Sequence, residues 1–163
     1  MTAIHIKFPA LTLKAGPRAF ARIRESGLRA AEVGTLPGAA GGPKALGIQG
    51  LDLALFGDWL PAAPRERSLI GASVGSWRFA SACLADAAEG IRRLGLLYNA
   101  MSFAKGVNMA QISHSSQRML DDLLDGQDAS ILDNPLYRLN IIKGIVIIGA
   151  VALDRYRQSG ART

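Results

Sequence analysis

Cysteine and histidine, two residue types that commonly bind transition metals, are nearly missing from this sequence. The chain holds one cysteine, Cys83, and two histidines, His5 and His114. A single cysteine excludes a disulfide within the chain and a cysteine-rich zinc site. Two histidines are too few for a multi-histidine metal cluster. We therefore expect neither a metal nor a cofactor.

Aromatic residues and runs of basic residues are also scarce. Aromatics form 6% of the chain, which supplies a stacking platform for single-stranded nucleic acid poorly. The net charge is +6, and most of the basic excess lies in residues 1–80. This charge permits attraction to anionic membranes or to nucleic acid, but scattered basic residues are typical of an ordinary solvated surface. We expect no nucleic-acid partner.

A long hydrophobic run is missing as well. The longest apolar stretch, residues 141–153, contains Lys143 and is too short to cross a bilayer as a helix. Residues 1–16 include His5, Lys7 and Pro9, which does not fit a secretory signal. These absences favour a cytoplasmic location and leave peripheral contact with a membrane open.

What the sequence does contain is an alternation of short apolar strands and helical patterns. A length of 163 residues suits one domain, residues 1–163, with a loose tail at 155–163. The predicted strands are residues 33–36, 68–70 and 139–153. The predicted helices are residues 16–27, 45–56, 87–101 and 113–125, and a further helix follows residue 75. Ser113 is the predicted N-cap of the helix at 113–125. Strands alternating with helices predict an α/β fold with a largely parallel sheet.

The first motif that can carry chemistry is Gly71-Ala72-Ser73-Val74-Gly75, a G-x-S-x-G pattern between an apolar strand and a helix. A serine on a sharp strand-to-helix turn holds a strained backbone, so its neighbours two residues away must be small. The following helix directs its free N–H groups and positive dipole end at a developing oxyanion. The alternative is a small-residue turn with structural glycines and a solvated serine.

The second motif is a glycine-rich loop, residues 37–44, which also lies between a strand and a helix. Exposed backbone N–H groups in such a loop can bind a phosphate or an oxyanion. A nucleotide-binding P-loop is not expected, because Pro43 replaces its second glycine and Ala45 replaces its magnesium-binding hydroxyl. A plain tight turn before a helix is the alternative.

The two motifs together, about thirty residues apart, resemble the patatin-like phospholipase family. Residues 40–51, AGGPKALGIQGL, look like its glycine loop, and residues 69–76, LIGASVGS, look like its nucleophile elbow. The recognisable part spans about residues 33–139. The resemblance implies a three-layer sandwich with a mostly parallel central sheet, incomplete in this chain. It also implies a serine–aspartate dyad that hydrolyses acyl esters of lipids, with a lipid or ester as the substrate.

The resemblance also implies a role for each matching residue. It makes Ser73 the nucleophile, the N–H groups of Gly41, Gly42 and Val74 the oxyanion donors, and Lys44 the basic residue of the loop. The chain departs from the family where Ala40 and Ala45 replace glycines and where Pro43 has no N–H to donate.

The aspartate of the dyad has no clear counterpart. Asp125-Gly126 is the only Asp-Gly pair, but it ends a helical pattern. Asp154 follows the last apolar stretch, with no glycine after it. Both stay candidate bases, since a base must reach the serine by a hydrogen bond. Two alternatives to an active serine hydrolase therefore remain: a catalytically incomplete remnant that binds lipid or protein, and a basic module on anionic lipid or nucleic acid. The oligomeric state is left open.

Overall fold

The computed structural model describes residues 12–103 and 105–142. Its centre is a sheet of three strands, β1 (Thr35–Gly38), β2 (Arg67–Ala72) and β3 (Tyr137–Ile142), in the order β1-β2-β3. Both pairs of strands are parallel, and Gly71 in the central strand lies beside Gly38 and Ile141. The predicted α/β fold with a parallel sheet is confirmed.

Helices connect the strands, as parallel pairing requires. Between β1 and β2 the chain is helical over residues 42–59, which we call the post-loop helical segment. It consists of a 3₁₀ part (Gly42–Ile48), α2 (Gln49–Asp52) and a π-helical part (Leu53–Trp59). The remaining helices are α1 (Pro17–Ser26), a 3₁₀ turn (Ala30–Glu32), α3 (Val74–Ala82), α4 (Ala87–Ala100), α5 (Met109–Leu124) and α6 (Asp128–Leu132).

The main core lies on one face of the sheet. Leu69 at the centre of β2 is fully buried there, among side chains from the post-loop helical segment, α3 and β3. Phe56 makes edge-to-face contacts with the rings of Phe79 and Tyr137, with ring centroids 6.0 and 5.6 Å apart. This aromatic group holds the helices that follow β1 and β2 against the sheet.

The opposite face of the sheet is open in the part of the chain that the structure describes. Thr35, Pro37, Arg138 and Asn140 share that face by register and are exposed. No residue of α1 is buried, so this helix does not cover the face. The described residues therefore form two layers, a sheet and one helical layer.

A buried cation secures the start of β2. Arg67 is 1% exposed, and its guanidinium donates hydrogen bonds at 2.8–3.2 Å to four backbone carbonyls, those of Ala30, Val33, Ala63 and Arg65. Because these carbonyls belong to the connections before β1 and before β2, one side chain ties both connections to the central strand.

The element boundaries correct the sequence prediction for α5, β1 and β2. Helix α5 begins at Met109, because Asn108 and Gln111 form a reciprocal capping box; the predicted N-cap Ser113 lies inside the helix. Strand β1 lies two residues later than predicted, and β2 is longer than predicted. The predicted strand at 139–153 is described only to Ile142, and Asp154 and the tail at 155–163 lie outside the described residues.

Candidate active site

Ser73 is the only residue between β2, which ends at Ala72, and α3, which begins at Val74. Its backbone has φ 53° and ψ −128°, a conformation that residues with a side chain rarely adopt and that costs on the order of 1–3 kcal/mol. The side chain is exposed. The sharp strand-to-helix turn expected at this serine is confirmed, and it leaves the hydroxyl accessible.

The glycines on either side of the turn have no room for a side chain. A Cβ on Gly71 would lie 2.7 Å from the backbone nitrogen of Ser76, and a Cβ on Gly75 would collide with the carbonyl oxygen of Gly38. The glycines of the motif are thus required by close backbone contacts.

The same close contacts bring the glycine loop beside the serine turn. Strands β1 and β2 are parallel neighbours, so the segments that follow them leave the same edge of the sheet. The carbonyl oxygens of Gly38 and Ala39 lie against Gly75. The structure therefore brings the two sequence motifs into backbone contact.

Among the described residues, no group accepts a hydrogen bond from the N–H groups of the three predicted oxyanion donors. Gly42 and Val74 are the first residues of their helices, where an N–H has no intrahelical acceptor. Gly41 precedes that first helical residue, and Gly42 has a positive φ of 53°. No turn, loop or side-chain hydrogen bond among the described residues uses these three N–H groups. They remain available to an anionic oxygen.

An apolar cavity of about 470 Å³ lies beside the two motifs. Its wall includes Pro43, which follows Gly42 in the loop, and Trp77, which lies one helical turn after Ser73. The remaining wall comes from α4, α5 and their connection, with Tyr98, Met101, Phe103 and Ile112. A cavity of this size and polarity is suited to an apolar group of a small ligand.

Lys44 lies in the first turn of the post-loop helical segment and is exposed. Together with Gly41 it lines a second, mainly apolar cavity of about 510 Å³, which also includes Leu36, Ile48, Leu51 and Phe79. The glycine loop therefore contributes to the walls of two cavities.

The predicted bases are not brought to the serine by the described residues. Asp125 lies at the end of α5, where its exposed carboxylate is 3.6 Å from Arg93. Asp154 lies outside the described residues. Within residues 12–103 and 105–142, no side-chain hydrogen bond joins Ser73 to a carboxylate.

Sequence reasoning missed a buried ion pair near the site. Asp52 in α2 and Arg78 in α3 form two hydrogen bonds, and their side chains are 5% and 12% exposed. In the sequence, Asp52 is not distinguished from a charge on a solvated helix face. Its partner is 26 residues away, and sequence spacing alone does not reveal it.

Among the described residues, no three side chains of the types His, Cys, Asp and Glu are grouped closely enough to bind a metal ion. None of the described helices combines the length and the apolar character needed to cross a bilayer.

Comparisons of this chain with protein-family models, with curated proteins and with solved structures find no match.

Proposed function

We propose that this protein is a serine acyl hydrolase of the patatin-like type, acting on a lipid or another carboxyl ester. The single observation that carries the proposal is the turn at Ser73. A strained, accessible serine lies between a strand and a helix, and both flanking glycines have no room for a Cβ. Its contact with a glycine loop in which the N–H groups of Gly41 and Gly42 have no acceptor among the described residues supports the same function.

In the proposed reaction the Ser73 oxygen attacks the ester carbonyl and loses its proton to a base. The N–H groups of Gly41, Gly42 and Val74 then bind the negative oxygen, aided by the positive end of the α3 dipole. Collapse of this intermediate breaks the ester C–O bond, the alcohol leaves with a proton, and an acyl-serine remains. Attack by water on the acyl-serine releases the acid and restores the hydroxyl.

The base in this proposal is one of the two predicted aspartates, Asp154 and Asp125. For Asp125 to act, its carboxylate would have to leave its position near Arg93. The variants Asp154→Asn and Asp125→Asn show which aspartate is the base. Removing the base lowers the reactivity of the serine by about 10²–10⁴-fold.

The proposed substrate carries an apolar acyl group. The cavity beside Trp77 and Pro43 is mainly apolar, and Trp77 lies on the helix that begins at the serine turn. In this proposal the acyl chain occupies that cavity and the ester carbonyl is directed toward Ser73. A three-layer sandwich is part of the proposal, with the sheet and one helical layer described here as two of its layers.

The test is labelling of the full chain by a fluorophosphonate, which reacts with activated serines. We expect the wild-type protein to be labelled and Ser73→Ala to be unlabelled. Ser76→Ala is the matched control, because the Ser76 hydroxyl belongs to the same turn but is buried. Labelling that persists unchanged in Ser73→Ala would contradict the proposed nucleophile.

A second candidate function is a catalytically incomplete remnant that binds an acyl chain or another protein. The observation that favours it is that, within the described residues, no carboxylate is hydrogen-bonded to Ser73. Hydrolysis of a short-chain nitrophenyl ester distinguishes the two functions. Turnover that is lost in Ser73→Ala would eliminate the remnant.

A further inference from the structure

In addition to the backbone contact between Gly75 and Gly38, the helical segments that follow the two motifs are joined by one buried ion pair. Asp52 belongs to the post-loop helical segment, which begins at the glycine loop, and Arg78 belongs to α3, which begins at the serine turn. Nε of Arg78 donates to Oδ2 of Asp52 at 2.6 Å, and Nη2 donates to Oδ1 at 2.5 Å. Both side chains are largely withdrawn from solvent.

Two parallel hydrogen bonds between planar groups define a distance and an orientation. Among the described residues, this is the only side-chain hydrogen-bonded link between the post-loop helical segment and α3. The same segment is linked to α4 by Gln49, which donates to the carbonyl of Ile91 at 2.8 Å. The segment and α3 also meet through apolar packing, such as Phe56 against Phe79, which fixes orientation less specifically than paired hydrogen bonds.

We infer that the Asp52–Arg78 ion pair is a positioning device that sets the glycine loop against the serine turn. The inference rests on the proposed function, since the distance it sets is the one between the Ser73 oxygen and the N–H groups of the loop. An oxyanion is stabilised only by donors that are already in place. A misplacement of about 1 Å, caused away from the reacting atoms, can cost about 10²-fold in rate.

A positioning role and a stabilising role predict different results when the pair is replaced by apolar residues. Replacing a buried ion pair by apolar residues of similar volume is often neutral or favourable for stability. The double variant Asp52→Leu with Arg78→Met should therefore fold as well as the wild-type protein. A pair that serves stability alone would leave the reactivity of Ser73 unchanged in this folded variant.

The experiment compares the wild-type chain with the double variant by three measurements. These are the second-order rate of fluorophosphonate labelling, the melting temperature, and the hydrogen exchange of the amides of residues 39–42 and 44. We expect labelling to slow by about tenfold to hundredfold, the melting temperature to stay the same or rise, and the loop amides to exchange faster. The matched control is Glu32→Leu with Arg22→Met, which removes a more exposed ion pair with two hydrogen bonds and should change none of the three.

The outcomes separate the inference from the function on which it rests. If the wild-type protein and the double variant label at the same rate while Ser73→Ala does not label, the positioning role is wrong and the function stands. If the wild-type protein does not label, the proposed function is wrong. The hydrogen exchange of the loop amides then decides whether the ion pair positions the loop. Faster exchange of the loop amides in the double variant supports a pair that positions the loop, and unchanged exchange overturns it.

Discussion

At the scale of single residues, the serine turn combines a strained position with two positions that exclude a side chain. Ser73 has a positive φ, while Gly71 and Gly75 lie against the backbone of neighbouring segments. The strain at Ser73 and the contact of Gly71 with Ser76 arise within six residues of sequence, so the motif spacing was enough to predict the turn. The contact of Gly75 with Gly38 crosses from one strand connection to another, and the sequence carries no sign of it.

A methyl group at position 75 should therefore destabilise the folded protein. Gly75→Ala would drive its Cβ into the carbonyl of Gly38, and we expect a loss of about 1–3 kcal/mol in the free energy of unfolding. The measurement is urea denaturation followed by circular dichroism.

Gly47→Ala is the control for this substitution, because a Cβ at position 47 has no heavy atom within 4 Å. We expect Gly47→Ala to be neutral or slightly stabilising. Equal stability of the two variants would mean that the backbones of the loop and the turn are not in contact.

At the scale of elements, the main difference between expectation and structure is the start of α5. Both Ser113 and Asn108 are residue types that cap helices well. What distinguishes them is Gln111, whose side chain returns to the N–H of Asn108 at 3.0 Å while its own N–H donates to the Asn108 side chain at 2.9 Å. The early start adds a first turn that carries Ile112, a wall residue of the apolar cavity beside Trp77.

Substitution of each candidate cap shows which one begins the helix. Asn108→Ala should lower the free energy of unfolding by about 1 kcal/mol, because the N–H of Gln111 loses its acceptor. Ser113→Ala should leave stability nearly unchanged or raise it slightly, because alanine favours a helix interior. Thermal denaturation of both variants measures the difference, and the reverse order would place the helix start at the later residue.

The ion pair between Asp52 and Arg78 also belongs to the scale of elements. A carboxylate and a guanidinium 26 residues apart carry no local pattern, and either residue alone would be assigned to a solvated helix face. Only the packing of the two helices makes them neighbours. Sequence reasoning was thus sufficient for the turn, which is local, and insufficient for the contact that joins the turn to the loop.

At the scale of the whole molecule, the alternation of strands and helices was enough to predict a parallel α/β sheet. Glycines and prolines marked where strands end, since both residue types interrupt regular pairing. The sequence did not indicate how the strands are ordered or that the described helices pack on one face. Those features depend on contacts between segments distant in the chain, such as Phe56 with Tyr137.

The core of the whole molecule should make stability depend on alkaline pH. Burial raises the pKa of the Cys83 thiol from 9.0 to about 12, and burial also raises the pKa of Tyr137. The folded state keeps both groups neutral, whereas in the unfolded chain the thiol ionises near its ordinary pKa. The contribution of the thiol is therefore complete below about pH 9 and is lost between about pH 9 and 12, at a slope of about 1.4 kcal/mol per pH unit.

Urea denaturation at a series of pH values from 8 to 11 measures this slope. In Cys83→Ala the decline should begin at a higher pH, because the thiol no longer contributes and the Tyr137 hydroxyl ionises later. The same decline in both proteins would show that the thiol ionises in the folded state as readily as in the unfolded chain.

The position of β2 between its two neighbours has a consequence for the order of folding. In β2, Ser68 pairs with Thr35 of β1, and Arg67 pairs with Tyr137 of β3. The stretch of chain between Arg67 and Tyr137 is much longer than the one between Thr35 and Ser68. Closing the longer loop costs more entropy and brings β3 into place later. Until then β2 is an outer strand with unpaired backbone groups, which is the form of a sheet most open to joining another chain. During synthesis, self-association of unfinished chains should therefore be greatest before residue 137 has emerged.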